Sequence, residues 1–169
     1  MTIGAALKGL AAGVAGVAAM TLAEKIEQAF TRRPNSYVPA HTLERLGLSA
    51  DRPDSDTLRS NWAMHWGQGV LLGAARGLMA ERGVRGPFGS FLHLNLRLLN
   101  DQALENATGA GAPPWTWPTD EQVIDLVHKG IYALVTGAVC DRVIAGPPTA
   151  PVPRAGWTVA EGYIGSAQD

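Results

Sequence analysis

Gly9 and Gly13 stand four residues apart in one long apolar run, and Gly69, Gly73 and Gly77 repeat that spacing in another. In a helix, residues four apart share a face. A stripe of glycines makes that face a groove without side chains, so a neighbouring backbone can come close. The chain is thereby constrained to tightly packed helices. The same runs carry Glu24, His65, Asp125 and His128 where an ordinary core is apolar. The combination predicts an all-α fold, a four-helix bundle embedded in a membrane, with ionisable groups held inside.

Hydrophobic periodicity separates four long helices. The first covers Thr2 to Phe30. On it Ile3, Leu7, Leu10, Val14, Val17, Thr21, Glu24 and Gln28 fall on one stripe, the expected packed face, and Glu27 points away into solvent. A polar connection follows from Thr31 to Ser60, interrupted by Pro34, Pro39 and Pro53, with one short helical segment at His41 to Leu48. The second helix starts at Asp56 or Ser60 and ends at Glu81, ahead of Gly83 and Gly86–Pro87. The third, Phe88 to Thr108, mixes leucines with Asn95, Arg97, Asn100, Asp101, Gln102 and Glu105, and is too polar to face lipid all round. A stiff turn from Gly109 to Pro118 presents Trp115 and Trp117. Thr119, with Gln122 three residues on, reads as a capping box. It opens the fourth helix, Asp120 to Ala145, whose apolar stripe is Ile124, His128, Ile131, Val135 and Ala138. Residues 1–146 form a single helical domain, and 147–169 a Pro- and Gly-rich extended arm.

Composition narrows the setting. Basic and acidic residues number 14 and 15, so nothing electrostatic favours a nucleic-acid partner. Hydrophobic residues make up 46% of the chain and charged ones 17%, with a mean hydropathy of +0.02. That value is high for a protein in water and low for one in lipid. The first helix has the roughly 20 apolar residues that a span needs. Its apolar run continues straight into Ala23–Glu24–Lys25–Ile26, which predicts a retained helix rather than a leader. Trp62, Trp66, Trp115 and Trp117 lie near helix ends, where an aromatic belt belongs. The lone Cys140 excludes an intrachain disulfide and is expected in the core.

Gly9-Leu-Ala-Ala-Gly-Val-Ala-Gly-Val-Ala-Ala-Met-Thr-Leu, the loop Arg33-Pro-Asn-Ser-Tyr-Val-Pro, and the later His65-Trp66-Gly67 and His128-Lys129-Gly130-Ile131-Tyr132 together resemble the YagU-like family of small inner-membrane proteins. The resemblance covers the general plan of the chain. It implies a multi-helix protein of the cytoplasmic membrane and supplies no catalytic residues.

Candidate chemistry rests on ionisable groups inside apolar helices, which are costly and by default functional. Asp101 and Glu105 share a face four residues apart, and burial of two close carboxylates favours acid/base work. Asp125 and His128 are also neighbours on one face. His65 sits between Trp62 and Trp66, a base or ligand gripped by aromatic walls. The candidate catalytic set is therefore His65, Asp101, Glu105, Asp125 and His128. Glu24, Trp62, Trp66, Trp115 and Trp117 are candidate substrate contacts, and His93 and His41 are surface or structural. One function follows: a pocket binding or converting a small apolar, lipid-like metabolite by acid/base chemistry. A second is a non-catalytic accessory or transporter-like subunit, self-associating through its glycine faces. A third is a soluble four-helix metal protein. There Asp125-x-x-His128 is half of a carboxylate-bridged dimetal pattern, with Glu24 and Glu105 as single carboxylates and His65 replacing the missing partner. That pattern is incomplete, and no metal ligand set or cofactor is assigned. Phosphate-loop, dinucleotide, serine-elbow and His-Glu-x-x-His signatures are absent.

Overall fold

The computed structural model describes residues 2–52 and 54–145. The arm expected over 147–169 lies outside the described residues, which are all-helical, without a strand. The elements are α1 (Thr2–Thr31), α2 (Val38–Arg45), α3 (Leu58–Glu81), α4 (Gly86–Thr108), a 3-10 turn at Pro114–Thr116, and α5 (Thr119–Ala145). Breaks occur where the backbone needs a left-handed residue. Arg32 ends α1 at φ 60°, Gly83 and Gly86 form the α3–α4 turn, and Gly109 caps α4 at φ 69°. Pro87 is accommodated in the first turn of α4, where its missing N–H costs nothing, so that helix begins before Phe88. The capping box at Thr119 does not form. The Gln122 amide instead donates to the Trp117 carbonyl at 2.9 Å.

The glycine ladders face each other. A Cβ on Gly9 would strike the Gly73 carbonyl, one on Gly13 would lie 2.9 Å from the Gly69 carbonyl, and one on Gly77 would strike the Ala5 carbonyl. α1 and α3 therefore run antiparallel with their backbones in contact. The ladders are consumed within the chain and offer no groove to a second copy. On its other side α1 receives α5, where Thr136 and Tyr132 fill the space above Gly16 and Lys8 Nζ donates to the Val143 carbonyl at 3.1 Å. α4 lies antiparallel to α5, with Ser90 against Gly137 at one end and Asp101 against Lys129 at the other. α2 rests on the start of α3, its Ala40 N–H donating to Asn61 Oδ1 at 3.2 Å. Beside it Ser60 and Thr57 donate to Asp51, and these hydroxyls hold its carboxyl below the usual range.

The expected helix faces are rotated. On α1 the residues turned inward are Ala5, Gly9, Ala12, Gly13, Gly16, Val17 and Met20, while Ile3, Leu7 and Val14 face out. Glu27 is half-buried in an ion pair with Arg33 at 3.0 Å rather than free in solvent. On α5 the inward set is Lys129, Tyr132, Ala133, Thr136, Gly137 and Cys140, one position away from the expected stripe. Cys140 is buried, as its spacing predicts. α4 turns Gly89, Ser90, His93, Arg97 and Asp101 inward, so His93 belongs to the interior and not to the surface.

Along the long helices, large apolar side chains thus face outward while several polar and charged ones face inward. Leu7 is 60% exposed, Leu71 69%, Leu99 70% and Leu134 61%, one on each long helix, whereas Arg76 and His93 are 0% exposed. Two helices, α1 and α5, are long and apolar enough to cross a membrane, with mean hydropathies of 1.6 and 1.5 in their best windows.

Candidate ligand cavity

At the end of the molecule formed by the α1 C-terminus, α2 and the starts of α3 and α5, the helices splay around a cavity of about 430 Å³. Small residues let α1 and α3 touch lower down. Here the lining side chains are larger and many are polar. His65, Asp101, Glu105, Asp125 and His128 all line this cavity, as do Glu24, Trp62 and Trp117. Trp66 and Trp115 do not. Trp66 stacks on Trp62 at 6.3 Å and packs against the cluster of Val17, Met20, Tyr132 and Ala133. Trp115 is 79% exposed on the 3-10 turn. His41 sits away from the cavity in a pair with Asp56.

The acidic pair expected at Asp101 and Glu105 is resolved by cations. Asp101 accepts from Arg97 Nε at 2.9 Å and from Gln68 Nε2 at 2.6 Å, and Lys129 Nζ lies 3.2 Å away. Lys129 also donates to Asp125 at 2.8 Å. All of Asp101, Arg97 and Lys129 are buried. Charges taken out of water persist only when paired and hydrogen-bonded, and this network joins α3, α4 and α5 around one carboxylate. Asp125 consequently turns to Lys129 and is not free to act beside His128 as half of a metal site. Among the described residues no three His, Cys, Asp or Glu side chains gather as metal ligands.

What remains uncommitted around the cavity is different in kind. Glu105 has no hydrogen bond or ion pair to its carboxylate among the described residues, and His128 none to its ring. His65 Nε2 is 3.0 Å from Thr21 Oγ1. Glu24 accepts from Gln28 at 3.1 Å. Below the cavity the Arg97 guanidinium lies 5.3 Å over the Tyr132 ring, and Tyr132 donates to the Gly69 carbonyl at 2.6 Å. That carbonyl is within reach because residue 69 has no side chain.

Arg97, Lys129 and Gln68 escaped the sequence reading. Arg97 carried one usable signal, its spacing of four from Asp101, which is that of a helical ion pair. Lys129 falls off the expected α5 stripe, which places its neighbour His128 inward. Comparison with protein-family models, curated protein sequences and solved structures gave no match, so the YagU-like resemblance stays an expectation from residue patterns.

Proposed function

We propose that this chain is a small integral protein of the cytoplasmic membrane, a four-helix bundle of α1, α3, α4 and α5 whose polar cavity binds a small, largely apolar metabolite and acts on it by acid/base chemistry. The carrying observation is the inverted polarity: leucines outward on every long helix, Arg76, His93, Arg97, Asp101 and Lys129 inward. In water, exposed apolar surface costs about 25 cal/mol per Å², and wide apolar patches mark contact with another phase or a partner. In lipid the same surface is at home, and the inward charges are where intramembrane ionisable groups belong. α3 and α4 carry too many polar residues to pass as spans by hydropathy alone, yet Ser60 and Arg76 of α3 and Ser90, His93, Arg97 and Asp101 of α4 are buried against the other helices.

Within the cavity the roles divide. Asp101 and Asp125 neutralise Arg97 and Lys129 and hold the walls together. Glu105, His65 and His128 are the groups left to move protons, and Trp62 and Trp117 provide apolar walls. The accessory or transporter-like alternative has one observation on its side, since Asp101 tying three helices is what a purely architectural polar residue does.

Carbonate washing of membranes from cells expressing the chain tests the placement. Retention in the washed membrane is expected. Release into the soluble fraction overturns the membrane bundle and the resemblance with it.

A further inference from the structure

A second depression of about 370 Å³ lies on the outer side of α4 and α5, lined by Leu98, Pro114, Val123 and Leu126. It shares Trp117 and Asp125 with the interior cavity. These two side chains border both the polar cavity and the largely apolar groove, which therefore lie side by side. We propose that cavity and groove are one site for a single-chain amphiphile with an ammonium head, which enters sideways between α4 and α5, its head against Glu105 and its alkyl chain along Leu98, Val123 and Leu126. This rests on the membrane placement, because only then does the groove open into hydrocarbon.

Charge selects the head. Arg97 and Lys129 are consumed by Asp101 and Asp125, and Arg33 by Glu27. Among the described residues, those facing the cavity beyond these pairs are Glu24, Glu105 and Glu121 against Lys25. Lys25 lies 3.9 Å from Glu24, which leaves Glu105 and Glu121 as the acidic excess. A carboxylate or phosphate head would meet that excess and be repelled. An ammonium would be drawn to it, and the Trp62 and Trp117 rings offer faces that attract cations. The groove lies next to the head position, because Trp117 and Asp125 border both.

The test uses the full chain in dodecyl maltoside micelles, with heats of blank micelles subtracted. Dodecyltrimethylammonium, dodecanoate and tetramethylammonium are titrated in turn. Saturable one-to-one binding of dodecyltrimethylammonium is expected, with dodecanoate and tetramethylammonium each weaker by about tenfold or more. Glu105→Gln should weaken the alkylammonium by a similar factor. Leu126→Gln should weaken it while leaving tetramethylammonium unchanged. Circular dichroism checks that each variant keeps its helices, and the comparison of the three probes on the unaltered chain decides the matter even if a variant fails to fold. Dodecanoate binding as tightly as the ammonium, or saturable binding of neither, overturns the proposal. An unaltered alkylammonium affinity in Leu126→Gln overturns the groove. A chain retained by carbonate-washed membranes that binds no amphiphile sinks this inference alone, whereas a chain released by the wash sinks the membrane reading beneath it.

Discussion

Lys129 is the residue on which the cavity wall depends. Its ammonium lies between Asp101 and Asp125 and is 7% exposed. Removing one partner of a buried ion pair leaves an uncompensated charge and costs about 3–5 kcal/mol. Lys129→Met should therefore lower the midpoint of thermal unfolding sharply. Adding Asp125→Asn should restore part of the loss, since Asp101 keeps Arg97 and Gln68. A single variant as stable as the parent would mean that the lysine carries no structural weight. The ionisable candidates were legible at this scale because a charge in an apolar run is conspicuous. Their partners were not. Whether Asp101 repels Glu105 or binds Arg97 depends on side-chain direction, and whether Asp125 serves His128 or Lys129 turns on a single residue step, 100° of helix rotation.

Helices themselves were readable to within a few residues, because their ends are set by local chemistry: Gly83, Gly86–Pro87, Gly109 and the prolines before α5. Their orientation was not. Periodicity identifies a stripe but not whether that stripe turns inward or outward. Here Ile3, Leu7 and Val14 face out and the glycines and alanines face in. The glycine ladder makes this testable. A methyl on Gly73 would meet the Gly9 carbonyl and lie 2.8 Å from the Gly13 nitrogen, both backbone atoms that cannot swing aside. Gly73→Ala should cost about 1–3 kcal/mol by forcing α1 and α3 apart. Gly67, on the same helix, has nothing within 4 Å of such a methyl. Gly67→Ala should be neutral or stabilising by up to about 1 kcal/mol, the ordinary gain in helix propensity. Thermal unfolding of the two variants side by side decides it, and equal losses would show that the ladder is not a contact.

Across the whole molecule, one buried cation, Arg76, is matched by an anion that lies far away in the chain. Arg76 on α3 reaches Asp141 on α5 at 2.7 Å, and the other Asp141 oxygen accepts from the Gly86 N–H that begins α4. Sixty-five residues separate Arg76 from its counter-ion. In the proposed membrane placement, this design has a problem of timing. While the chain is being made, α3 presents a guanidinium to the bilayer before the carboxylate that neutralises it has left the ribosome. α1 can settle in lipid at once; α3 and α4 must linger at the interface until α5 arrives to complete them. Truncation before Thr119 should accordingly yield a product whose middle helices stay accessible to protease from the side of synthesis, while the full chain protects them. Equal protection in both would mean that α3 inserts with its charge unanswered. In that placement the Arg76–Asp141 pair is a latch on biogenesis, closing only when the last helix is delivered.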